Sequence, residues 1–163
     1  MSKFADDTKW AKKVMGDNDK LEFQQGLDNL MEWANTWQME FNKDKCQILH
    51  LGKKNSKQEY TMGGVKLDST EWEKDLGVLV HNSLRPSLQC SKAVKKANSV
   101  LGQLCHGVGF RDKKVFIDLY VTYVRPHLEY AVQAWSPWTL GDMDMLESVQ
   151  RKAVKAVSNL KTG

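Results

Sequence analysis

Apolar residues in this chain follow two periods, and the switch between them limits the fold more than any other feature. They first fall at Phe23, Leu27, Leu30, Ala34 and Trp37, in alternating steps of four and three. Such spacing gathers them on one face of a helix. Asp19, with Glu22 three residues later, resembles a capping box, so a helix is predicted over about residues 18–38. The period then changes. Cys46–Leu51 is a short apolar run between Lys-rich and Gly-containing turns, which predicts a strand. Residues 53–58 are polar and read as a loop. Tyr60–Met62, Gly63-Gly64 and Val65–Leu67 read as strand, tight turn and strand, because adjacent glycines supply the positive φ angles a hairpin needs. Leu76–His81 reads as another short buried strand.

After Pro86 the helical period returns. Leu88, Ala93, Ala97, Val100, Leu101 and Leu104 share one face and Lys92, Lys95 and Lys96 another, with Gly107 and Gly109 ending the helix. Val115, Leu119, Tyr120 and Tyr123 begin a second helix, which Pro126 is expected to break or kink because it lacks an N–H. Leu128–Trp135 resumes it and Pro137 stops it. A last helix starts near Asp142 with Met145, Leu146, Val149, Ala153, Ala156, Val157 and Leu160 inward, while Arg151, Lys152 and Lys155 project elsewhere. Trp37, Tyr120, Tyr123 and Trp135 lie on apolar faces and are expected in the core. They do not alternate with basic residues as a base-stacking platform would. The predicted class is α+β: a mixed part over residues 1–84, then an all-helical part over 85–163, meeting near Asn82–Pro86.

With 163 residues the chain can bury a core of its own. An apolar fraction of 41% excludes wholesale disorder, and no apolar run approaches a membrane span. Met1-Ser2-Lys3-Phe4 has no apolar signal region. Cys46, Cys90 and Cys105 are odd in number and widely spaced, which reads as reduced thiols in a cytoplasmic or nuclear protein. With the four histidines they show no paired zinc-site spacing. Charge is lopsided. Residues 1–84 hold 12 basic and 14 acidic side chains, whereas residues 85–163 hold 12 and 6. The second half therefore carries the whole basic excess. Nucleic acid is the usual anionic partner for such a surface, and a solvated lysine-rich face is the plain alternative.

Two adjacent carboxylates, Asp6 and Asp7, follow Phe4-Ala5. Hard divalent cations take such oxygen ligands, and polymerases clamp phosphoryl transfer with a metal pair. Alone, an Asp-Asp pair is more often a solvated surface feature than a metal site. The context is an ordered series. Phe4-Ala5-Asp6-Asp7-Thr8-Lys9 is followed by Leu27-x-x-Leu30-x-x-Trp33-Ala34, Phe41-Asn42-Lys43-x-Lys45-Cys46 and His50-Leu51-Gly52. Then come Glu73-Lys74-Asp75-Leu76-Gly77-Val78-Leu79-Val80, Lys95-Lys96-Ala97-Asn98, Val124-Arg125-Pro126-His127-Leu128-Glu129-Tyr130-Ala131 and Leu146-Glu147-x-Val149-Gln150-Arg151-Lys152-Ala153. This series resembles the reverse transcriptase (RNA-directed DNA polymerase) of non-LTR, LINE-type, jockey-like retrotransposons, over the stretch from the Asp-Asp turn of the palm through the thumb.

The resemblance implies a partial palm of one helix plus short antiparallel strands, followed by a helical-bundle thumb. It implies that Asp6 and Asp7 are catalytic metal ligands for Mg2+, and that Lys45, with Lys43 second, protonates the departing pyrophosphate. It places Leu76–Val80 in a strand at the palm–thumb junction that supports the primer end. It makes Lys92, Lys95, Lys96, Arg111, Lys113 and Lys114 phosphate contacts to an RNA–DNA or RNA template–primer duplex, held without reading bases. The departures matter too. The family's third metal-binding Asp and its fingers would precede residue 1, and Met1-Ser2-Lys3 is short for the first arm of the Asp-Asp hairpin. Trp10–Val14 is more basic than the alternating strand the family has there. The expectation is therefore a segment that binds template–primer and does not synthesise DNA alone. The alternative is a repurposed non-catalytic module that binds nucleic acid, or that docks a protein partner or a second copy through exposed palm surface.

Overall fold

The computed structural model describes residues 2–4, 7–107 and 113–158, and the chain divides into two compact units, Met1–Glu71 and Trp72–Gly163. In the first, β1 (Ser2–Phe4) pairs antiparallel with β2 (Asp7–Lys9). Three residues suffice for the short arm because Ser2, Lys3 and Phe4 meet Lys9, Thr8 and Asp7 in turn. Residues 10–15 are irregular, where the family resemblance implied a strand. Trp10 packs instead on the next helix, α1 (Asp17–Thr36), where a Cβ at Gly26 would lie 2.5 Å from its indole. This contact explains a glycine in a helix interior, a position that otherwise costs about 1 kcal/mol.

The start of α1 differs from expectation. Gly16 caps it, and Asp19 reaches back to accept the N–H groups of Met15 (2.7 Å) and Gly16 (3.1 Å). Asp19 is thus the acid of the box rather than its cap. The apolar face buries Leu27 and Ala34 and half-buries Phe23 and Leu30, but Trp37 is 66% exposed, against the expectation of a core residue. The helix stops at Thr36 and Gln38 takes φ 55°, so Trp37 leaves the stripe.

A single 3-10 turn (Lys43–Lys45) leads into β3 (Gln47–Leu49). Next come β4 (Thr61–Met62) and β5 (Val65–Lys66), an antiparallel pair joined by Gly63 (φ 55°) and Gly64 (φ 78°). Here glycine is needed, since an L side chain strains both positions. The pair β3 and β6 (Asp68–Thr70) runs parallel, not antiparallel as expected. The intervening hairpin returns the chain in its original direction, and the connection is long enough for a parallel crossover. Leu27, Tyr60, Met62 and Leu67 form the core beneath. The Gln24 amide seals the edge of β4, accepting the Thr61 N–H (3.0 Å) and donating to its carbonyl (2.9 Å).

The second unit begins with a hairpin, β7 (Trp72–Asp75) and β8 (Val78–His81). Leu76 (φ 45°) and Gly77 (φ 88°) are its turn, so the apolar run read as one strand begins in fact with a reversal. Two positive φ values in a two-residue loop match the right-handed twist of the arms. The hairpin joins the helices, which moves the division from the expected 84/85 to 71/72. Val78 packs with Cys90, Ala93 and Trp135, and Gln89 Oε1 accepts the Leu79 N–H at 2.9 Å.

Among the described residues five α-helices follow: α2 (Ser87–Gly107), α3 (Lys113–Leu119), α4 (Arg125–Glu129), α5 (Val132–Trp135) and α6 (Leu140–Ser158). Leu88, expected on the inner face of α2, is exposed. Pro126 does not break the chain's helical course. A π segment over Tyr120–Val124 precedes it, with the Arg125 N–H bonded to the Tyr120 carbonyl. The wider turn absorbs the missing donor and the ring's bulk. The inward stripe there is buried Phe116 and Val124 with half-buried Tyr120, whereas Val115 and Tyr123, expected inward, are exposed, Tyr123 by 55%. The break comes at Ala131, which adopts φ 52° and separates α4 from α5. Val94, Ala97, Leu101, Phe116, Val124, Val149 and Ala153 form one continuous core. Each large side chain buried there contributes about 1.5–3 kcal/mol. Among the described residues no helix is long and apolar enough to cross a membrane.

Candidate nucleic-acid interface

The longest helix owes its placement to its sequence. Ala93, Ala97 and Leu101 recur at four-residue steps and are buried, while Lys92, Lys95, Lys96 and Ser99 occupy the opposite, exposed side. Positions three and four apart are neighbours on a helix surface, so the three ammonium groups form one cluster. No Asp or Glu occurs on α2, and none occurs anywhere from Leu76 to Arg111. Lys95 and Lys96 make no ion pair among the described residues. Lys92 Nζ donates to the Gly77 carbonyl at 3.3 Å, which holds one cation of the cluster against the tip of the β7–β8 hairpin.

A fourth cation joins from α6. Lys152 Nζ donates to Asn98 Oδ1 at 3.2 Å, and Asn98 lies one turn beyond Lys95. Its neighbour Arg151 is occupied elsewhere, at 2.6 Å from Asp144 and 3.3 Å from Glu147. Arg125 is likewise matched by Glu129 at 2.6 Å. Local carboxylates thus neutralise Arg125 and Arg151 and leave the lysine cluster as open positive charge. The acid-free stretch from Leu76 was the sequence signal for this face, whereas the Asn98–Lys152 bridge had none.

Beneath the cluster, the ends of α2 and α6 are tied by polar contacts. Asp142 is buried and accepts the Ser87 hydroxyl (2.9 Å) and the Thr139 hydroxyl (2.7 Å), while its own N–H donates to Thr139 Oγ1 (3.1 Å). Burial, helped by the nearby Asp142 charge, pushes the Cys90 thiol up to about 11, so it stays protonated and inert.

The remaining candidates are dispersed. Asp6 and Arg111 lie outside the described residues. Asp7 is exposed at the first position of β2. Lys45 is exposed at the end of the 3-10 turn, and Lys43 Nζ lies 3.4 Å from the Gly63 carbonyl, bracing the glycine turn. Lys113 is half-buried and Lys114 exposed at the start of α3. Among the described residues no three His, Cys, Asp or Glu side chains gather where a metal ion can be held. Compared with protein-family models, with curated proteins and with solved structures, the chain matches none.

Proposed function

We propose that the second unit grips a nucleic-acid duplex by its sugar–phosphate backbone, as the thumb of a retroelement reverse transcriptase does. The observation that carries the reading is the exposed cluster Lys92, Lys95 and Lys96 on an acid-free helix, extended by Lys152 through Asn98. Flexible ammonium groups on one helix face suit phosphate oxygens and carry no base-reading geometry. In this reading the first unit is the palm portion. Asp6 and Asp7 stand at the family's Mg2+-binding turn, and Lys45 stands at its proton donor. The substrate is an RNA–DNA or RNA template–primer duplex. The test is binding of the purified chain to an RNA–DNA hybrid across a salt series. Affinity that falls steeply with salt supports the grip, and absence of binding at low salt rejects it.

A second reading is association with a partner protein or another copy through the first unit. It is favoured by Trp37 and Met39, both exposed where α1 ends. Sedimentation at high concentration decides it, since a clean monomer rules out self-association.

A further inference from the structure

We infer that the second unit also carries a seat for one unpaired nucleotide, in the cavity between β8 and Trp138. This deepens the reading of the unit as a nucleic-acid-binding element and rests on it. The cavity holds about 280 Å3 and is lined by Val80, His81, Leu84, Arg85, Trp135 and Trp138 among others. That volume lies just below the usual range of small-molecule sites and suits a single base.

The lining specifies the occupant. Trp138 is 65% exposed and Leu84 is exposed beside it, so folding leaves apolar and aromatic surface wet at the mouth. Trp135 forms the buried side, its indole N–H fixed to the Tyr130 carbonyl at 2.8 Å. Arg85 is the cation of the lining, no carboxylate shares the cavity with it, and it makes no ion pair among the described residues. A flat π-face carrying a phosphate satisfies both groups at once, by stacking on the indole and by bidentate contact with the guanidinium.

An extended peptide fits less well. A peptide added to the outer edge of β8 needs free backbone groups there. The Leu79 N–H is already bonded to Gln89 Oε1 (2.9 Å), and the His81 carbonyl accepts the Leu84 N–H (2.8 Å). The strand also links the two binding features. It starts beside Gly77, whose carbonyl holds Lys92, and all four of its residues, Val78–His81, line the cavity over about 10 Å. A single strand leaving a duplex on α2 therefore meets the cavity along β8.

The experiment measures anisotropy of the full chain with three probes: a blunt RNA–DNA hybrid, the same hybrid with a short single-stranded overhang, and a single-stranded oligonucleotide. The overhang is expected to tighten binding roughly 5- to 150-fold, the range for one stacked base. Trp138→Ala and Arg85→Gln should each reduce that gain, and Trp138→Phe should keep most of it. Because Trp138 is exposed, its replacement should leave the circular dichroism and the blunt-hybrid affinity unchanged. Equal affinity for blunt and overhanging hybrids overturns the seat while leaving the duplex grip standing, and so does a gain that persists in Trp138→Ala. If the blunt hybrid fails to bind, the grip fails and the oligonucleotide still decides: binding lost in Trp138→Ala supports the seat, and no binding overturns it.

Discussion

Replacing Lys92, Lys95 and Lys96 together by Gln tests the duplex grip most directly. From Lys92 to Lys96 the cluster spans about 6 Å of helix axis, and Asn98, which holds Lys152, extends it to about 9 Å. One DNA strand presents a phosphate about every 3.4 Å of its axis, so three contacts fit the face. Each phosphate contact contributes about 0.9 to the slope of log K against log salt. The triple variant should therefore flatten that slope by roughly 2.7, and at 0.1 M monovalent salt it should weaken binding by roughly 500-fold. Stability should move the other way. Lys92 opposes Lys95 and Lys96 at three- and four-residue spacing, and each like-charged pair costs about 0.2–0.5 kcal/mol. Relief of both should offset the lost Lys92–Gly77 contact and leave Tm unchanged or slightly raised. The assay is fluorescence anisotropy on an RNA–DNA hybrid over a salt series, with thermal melts alongside. Arg151→Gln is the control: Asp144 and Glu147 already neutralise that cation, so its slope should stay near wild type. A triple variant that melts normally and keeps the wild-type slope refutes the assignment of α2 as the contact helix.

Three further outcomes follow from the packing. Asp142→Ala leaves the Ser87 and Thr139 hydroxyls without their acceptor and should cost about 2–3 kcal/mol in urea denaturation, with Asp142→Asn milder; an unchanged midpoint refutes the tie between α2 and α6. Burial pushes the His50 imidazole below its ordinary 6.5, and its Nε2 is buried without a partner among the described residues. The unfolded chain therefore takes the proton first as pH falls, and stability should drop between pH 7 and 5. His50→Phe should flatten that drop, well apart from the Asp17 and Asp19 carboxyls, which titrate below 3.8. Cys90, buried with its thiol raised from 9.0 to about 11, should resist thiol reagents at pH 8 until the chain unfolds, whereas exposed Cys105 should react at once. The same shift makes stability fall as pH rises from 9 toward 11, because the native state holds the proton longer.

Much of the helical half was legible because its signal is local. Ala93, Ala97, Leu101, Val149 and Ala153 are buried on the stripes their spacing marks. Misreadings cluster where backbone geometry departs from a regular period. Leu76 and Gly77 look like strand residues by hydrophobicity, yet both take positive φ. Around Pro126 the π segment adjusts the register, so the buried face centres on Phe116 and Val124. Trp37 keeps the periodicity of α1 but falls past its end. The candidate site divides in the same way. Lys92, Lys95 and Lys96 share one face of α2 as their spacing requires, but the charge balance of their neighbours was invisible. Arg151 and Lys152 are adjacent in sequence, yet one is bound by Asp144 and Glu147 and the other is turned to Asn98.

By itself the sequence determined where the three long helices lie, most of the buried faces of α2 and α6, and that the basic excess belongs to the second half. Periodicity and net charge are properties of neighbours along the chain, so they need no fold to be read. Only the tertiary structure decided that the β7–β8 hairpin joins the helices, that β3 and β6 run parallel, and that Arg85 and Trp138 line one cavity. Those outcomes depend on contacts between residues far apart in the chain, and no local pattern encodes which distant partner a side chain will meet.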